Sequence, residues 1–125
     1  MISGQKIPLT AGGAITARHI VKVGAADLAA VQATAATDVL IGVAEFDADS
    51  GATATVQVAG VAFVEAGGTI TRGARVTSNA SGQGVVAAPA AGVNNGVVGV
   101  ALDAAVTGDY FRVALSGPGA IMQGA

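Results

Sequence analysis

The sequence predicts an all-β domain, a small β-barrel or sandwich-like fold with two pseudo-repeated halves, and four observations carry that prediction. Residues 41–60 align without a gap to residues 98–117, sharing Gly42/Gly99, Val43/Val100, Ala44/Ala101, Gly51/Gly108, Val56/Val113 and Gly60/Gly117. A second common string precedes each copy: Gly12-Gly13-Ala14-Ile15-Thr16 and Gly67-Gly68-Thr69-Ile70-Thr71. Thr53, Thr55, Gln57 and Ala59 alternate with Ala54, Val56 and Val58, the period-two pattern of a strand with one buried face. Finally, turn-forming residues recur about every eight to twelve positions, the spacing of short strands in a sandwich or barrel. Two copies at so long a spacing fit one closed, duplicated domain better than an open solenoid. The halves are 12–60 and 67–117, within a single β domain over 13–117.

Taken in order, residues 1–12 read as an extended N-terminal arm or edge strand, because Pro8 cannot donate to a central ladder, with a first strand tucked into the domain as the equal alternative. Ala14 to Val23 reads as a strand on Ile15, Ile20, Val21 and Val23. Ala25 to Ala36 suits either extended chain or a short helix, with Asp27 to Ala36 the helical alternative. Val39 to Ala44 is a β-branched run ended by the turn Asp47-Ala48-Asp49-Ser50-Gly51, where Asp and Ser can bond to local backbone. The strand at Thr53–Ala59 follows, then Gly60 as a bulge and Val61 to Glu65 as its continuation. Arg75–Thr77, Gly84–Ala88 and Val97–Leu102 are short strands. Asn94-Asn95-Gly96 between the last two is a tight-hairpin signal. Tyr110 to Leu115 is the last strand, and residues 118–125 read as a C-terminal tail.

The composition is 52% hydrophobic and 3% aromatic, with 19 glycines and no Trp. A core of Ala and Val buries little area per residue at roughly 25 cal/mol per Å², so further burial against a partner is expected. Charged residues make up 11% and the net charge is −2. That excludes phosphate-backbone binding by a basic cluster; the nearest approach to one is Arg72 with Arg75. There is no Cys, hence no disulfide or thiolate chemistry. No apolar stretch of about 18 residues predicts a spanning helix, and Met1 to Lys6 lacks the pattern of a signal peptide. Synthesis in the cytoplasm is therefore expected, with no membrane and no nucleic acid as partner.

Reactive constellations are missing. His19 is the one histidine, with no second His or Cys to share a metal, and reads as a surface or interface residue. No serine lies in a Gly-x-Ser-x-Gly elbow. Asp47, Asp49 and Ser50 lack the spacing of a cation loop. Gly12-Gly13 and Gly67-Gly68 precede no Gly-Lys-Ser/Thr string. The expectation is a non-enzymatic chain with no catalytic, cofactor or metal residues.

Together, the Gly-Gly-x-Ile-Thr strings, Val39-Leu40-Ile41-Gly42-Val43-Ala44, Thr55 to Gly60, Ile70-Thr71-Arg72-Gly73-Ala74-Arg75-Val76, Val98-Gly99-Val100-Ala101 and Phe111-Arg112-Val113-Ala114-Leu115 resemble the capsid cement, or head decoration, proteins of tailed bacteriophages. The resemblance runs through most of the chain. It implies a compact barrel-like domain on the outer capsid surface of the virion, often a trimer, that binds the major capsid protein and stabilises the expanded head. It implies no catalytic residue. The scarcity of charge departs from the family pattern and points to apolar contacts. The contact candidates are Ile2, Ile7, Pro8 and Leu9 in the arm, with Arg72 and Arg75 in the second half. A tail or shell module of the virion and a small-ligand binder are the alternatives.

Overall fold

The computed structural model describes residues 5–124, which form twelve strands and, among the described residues, no helix. β1 (Lys6–Ala11), β2 (Ile20–Val23), β3 (Ala29–Gln32), β4 (Leu40–Ala44) and β5 (Thr53–Gln57) close into a barrel in the order β1-β3-β2-β4-β5. β5 returns antiparallel to β1, from Lys6↔Gln57 to Thr10↔Thr53, and β1 meets β3 in parallel at Thr10↔Ala29. The second half supplies β6 (Val61–Glu65), β7 (Arg75–Ser78), β8 (Gly84–Val86), β10 (Gly99–Ala101) and β11 (Tyr110–Leu115). Their sheet runs β6-β11-β10-β7-β8, with a parallel bridge Ala66↔Gly84 between its ends. β9 (Asn94–Gly96) and β12 (Ile121–Gln123) form a third, two-stranded sheet.

Two hydrophobic clusters hold these sheets. The first barrel is filled by small side chains, including Val21, Ala30, Ala44, Ala54 and Val56, with Ile15 at one end. A second cluster contains Phe111, Val64, Val76 and Val113 of the second half together with Ile20, Leu40 and Val43 of the first. β4 therefore buries both faces: Ala44 fills the barrel while Leu40 and Val43 pack on the other half. A strand covered on both sides reads as a continuous apolar run, which is why Leu40–Ala44 shows no alternation. β5 keeps its alternation at Ala54 and Val56, and Gln57 is buried because its Nε2 donates to the carbonyls of Ala59 and Val61.

Several expectations are corrected. From Lys6 onward the chain is not an arm but a barrel strand paired with β5 along its length, the alternative of a first strand tucked into the domain. Pro8 is accommodated because backbone direction alternates along β1. The Thr10 N–H points to the β3 side and the Ala11 N–H to the β5 side, so the Pro8 nitrogen points to the β3 side, where β1 is paired only at Thr10 and Ala11. The strand expected at Ala14–Val23 starts only at Ile20; before it the chain turns, pinned by Ile15↔Ala48. The short helix considered for Asp27–Ala36 is replaced by β3. Asn94-Asn95-Gly96 is not a hairpin turn but β9, and Ile121–Gln123 of the expected tail pairs with it. Gly96 is needed for close approach rather than for positive φ: a Cβ there would strike the carbonyl oxygen of Asp38. Its N–H donates to the Ala36 carbonyl at 2.7 Å.

Candidate interaction surface

The turn before β2 ties the two halves together. His19 is 8% exposed, so it is a buried seam residue and not the surface or protomer-interface residue expected. Its Nδ1 lies 2.7 Å from the Ser81 carbonyl oxygen and its Nε2 2.9 Å from Glu65 Oε1. A carbonyl oxygen only accepts, so Nδ1 is the donor to Ser81; a carboxylate oxygen also only accepts, so the Nε2 contact with Glu65 is a hydrogen bond when Nε2 carries a proton as well. The other Glu65 oxygen accepts from Gln83 Nε2 at 3.1 Å, and Gln32 Nε2 also donates to the Ser81 carbonyl. The Ile20 N–H donates to the Gly82 carbonyl at 2.7 Å. Removing the imidazole takes one hydrogen bond from the Glu65 carboxylate and one from the Ser81 carbonyl, about 0.5–1.5 kcal/mol each and more for the charged group, while Gln83 and Gln32 still donate there. His19→Ala is accordingly expected to lose at least about 2 kcal/mol of stability, read as a lower urea midpoint. A midpoint equal to that of the parent protein would contradict this role.

Beside the seam lies an open groove of about 490 Å³, lined by Ala17, Arg18, Glu45, Phe46, Phe63 and Tyr110. The chain has three Phe and one Tyr, and all but Phe111 line this groove. Phe46 and Tyr110 are each 60% exposed, so these rings are placed on the surface although the core is poor in large side chains. Arg18 is held at φ 67°, its N–H donating to the Ala44 carbonyl and its carbonyl accepting from the Glu65 N–H. Its guanidinium sits 5.9 Å from the Phe63 ring centroid, within cation–π range. Glu45 is paired with Lys6, whereas Arg18 has no carboxylate partner among the described residues. Asp47, expected to bond its own turn, instead accepts from the Ala17 N–H at 2.7 Å and fixes one wall.

The sequence-derived contact candidates are distributed differently. Ile2 lies outside the described residues. Ile7 and Leu9 are half-buried and pack into the first barrel, while Pro8, Arg72 and Arg75 are exposed. Near Arg72, the Arg112 guanidinium grips Asp103 with two bonds of 2.8 Å. These bonds, the Arg112 backbone N–H and the nearby Arg72 charge hold the Asp103 carboxyl at about 2. Asp38 is also held below the usual carboxylate range: burial alone would raise it, but donation from the Thr34 and Ala35 N–H groups and the Lys22 ammonium outweighs that. It thereby fixes the turn between β3 and β4. No group of three or more His, Cys, Asp or Glu that could hold a metal occurs among the described residues.

A chain whose lone imidazole is spent on structure, and three of whose four aromatic rings gather at an open groove, has the layout of a binding module. The comparisons give the class: it is a non-catalytic structural protein of the phage virion. The family described as phage cement protein matches residues 2–116, and the chain belongs to that family. The crystal structure of the head fiber gp8.5 N base in bacteriophage phi29 has a similar fold. Its TM-score is 0.69 at 22% identity, covering 90% of this chain and 93% of that one. No curated protein matches the chain.

Proposed function

We propose that the protein is a head decoration protein: it is made in the host cytoplasm, binds the major capsid protein on the outer surface of the expanded head, and stabilises that lattice as a small closed oligomer, a trimer. The observation that carries this reading is the cement-family match over residues 2–116. The physical features agree with it. A closed barrel leaves few strand edges for aggregation, which suits a domain packed at high density on a shell. Charge is sparse, so attachment rests on apolar burial and backbone hydrogen bonds and is only weakly screened by salt.

The reading also takes the two halves as structural repeats. Its support is that β3-β2-β4-β5-β1 and β8-β7-β10-β11-β6 follow one connectivity. Corresponding bridges also recur, Ile15↔Ala48 with Ile70↔Ala105, as does the donation from Gly51 to Ala11 and from Gly108 to Ala66. In this reading the two matched halves give the domain two similarly shaped ends. The head-facing contact in this reading uses Pro8 on the unpaired side of β1, Ile2 before it, and Arg72 and Arg75. Lys6–Leu9 being a barrel strand, deletion of residues 2–4 tests the leading segment without opening the barrel.

The test is co-sedimentation with expanded, undecorated heads. Saturable binding that changes less than about tenfold between low and high salt is expected, since screening acts mainly on separated charges. Absence of saturable binding to heads, with binding to tails or to another part of the particle, would reassign the protein to a different virion component.

A further inference from the structure

We infer that copies of this protein join head to tail, the Asp27-Leu28 tip of one copy seating in the Arg18/Phe46/Phe63/Tyr110 groove of the next. Among the described residues, two that are not glycine hold positive φ, Arg18 at 67° and Leu28 at 55°. Such backbone is uncommon outside glycine and costs on the order of 1–3 kcal/mol where nothing local favours it. The Leu28 side chain gains no burial in its own fold in return, being 79% exposed. It is held there by its carbonyl, which accepts from the Thr10 N–H at 2.9 Å. Val23 and Val39, 53% and 59% exposed, lie beside each other at the same end of the barrel, joined by a Val23 N–H to Val39 carbonyl bond. The result is a projecting apolar knob. Next to it, Asp27 is exposed and has no ion-pair partner among the described residues.

The groove is the complement of that knob in shape and in charge. It is concave where the tip is convex and is walled by exposed rings. Its unpaired charge is the Arg18 guanidinium, opposite in sign to the unpaired Asp27. The two surfaces cannot meet within one copy. Arg18 precedes β2 and Leu28 follows it, while Val39 precedes the antiparallel β4 and Phe46 follows it. The knob and the groove thus stand at opposite ends of the β2/β4 pair, roughly 20 Å apart at about 3.3 Å per residue. Contacts between two different patches of identical chains make rings when the rotation closes. Tyr, Phe and Arg in such a patch are the residue types that carry association energy.

This inference rests on the self-assembly part of the reading above and supplies its contact. The test is the molar mass of the purified full-length chain across a concentration series, by sedimentation equilibrium. The parent protein is expected to associate above its 11.9 kDa protomer mass. Leu28→Gly removes the tip of the knob at a position where glycine relieves the backbone, so the thermal midpoint at protomer dilution should be unchanged or higher while association weakens about tenfold or more. Phe46→Ala should weaken association comparably. Arg18→Asp and Asp27→Arg should each weaken it, and the double variant should recover most of the loss. A parent protein that stays a protomer at every concentration overturns both the oligomer and the contact. Association that Leu28→Gly leaves intact, or single charge variants with no recovery in the double, overturns the contact alone.

Discussion

Replacing Gly42 or Gly99 with alanine is expected to cost about 3 kcal/mol or more in each case, with insoluble or partly unfolded protein at the upper end. Neither glycine is at positive φ; what each provides is room. β4 and β10 cross so close to β5 and β11 that a Cβ on Gly42 would land on the Gln57 carbonyl oxygen, with Val56 Cγ1 at 3.0 Å. A Cβ on Gly99 would land on the Ala114 carbonyl oxygen, with Val113 Cγ1 at 2.7 Å. Backbone of a paired strand cannot step aside as a flexible side-chain end can, so the sheet would have to part. Gly13→Ala is the control, since a Cβ there meets nothing within 4 Å and the change should stay within about 0.5 to 1 kcal/mol. Urea midpoints of the three variants decide the matter. A Gly42→Ala protein melting like Gly13→Ala would show that the strand crossing is looser than described.

Phe111→Ala is expected to lose about 3–5 kcal/mol, the range for truncating a buried aromatic residue. Phe111 is fully buried and heads the large buried side chains, in a core otherwise made of Val, Ala, Ile and Leu. Its seat depends on Gly84, where a Cβ would lie 3.0 Å from the ring Cζ and 3.0 and 3.1 Å from Val64 and Val76 methyl groups. With total stability of about 5–15 kcal/mol for a typical domain, that one ring is a large share of what holds the second half. The cavity left behind is walled by rigid strands that collapse poorly, which places the loss toward the top of the range. Phe111→Leu should recover about half of it. A loss below about 1 kcal/mol for alanine would mean the cluster repacks freely.

The parts of this fold that were legible in the sequence are those whose burial is set within the strand itself. Tyr110–Leu115 coincides with β11, and the Thr53–Gln57 alternation marks β5, because one side of each strand is dry. Val39–Ala44 was legible as a strand for a different reason, its two buried faces. The segments that misled owe their state to distant partners. Asn94-Asn95-Gly96 has the composition of a tight turn, but Gly96 is required by the Asp38 carbonyl and the strand exists because Ile121–Gln123 returns to pair with it. Lys6–Ala11 looked like an arm because a proline strand is admissible only where one side is unpaired. His19 gave no sign of its role, since one of its partners is a main-chain carbonyl and the other, Glu65, belongs to the other half. The groove had a faint signal: in a chain with four aromatic residues, Phe46 and Tyr110 stand next to turns, where side chains seldom fill a core. The left-handed backbone of Arg18 and Leu28 had none.

The central claim is that this chain works as a decoration of the phage head, and electron cryomicroscopy of the intact particle tests it most directly. The expected result is density for this all-β domain on the outer surface of the expanded head, in contact with the major capsid protein and repeated around symmetry axes as closed groups. Density confined to the tail or to the interior of the shell, with a bare outer head surface, would contradict it.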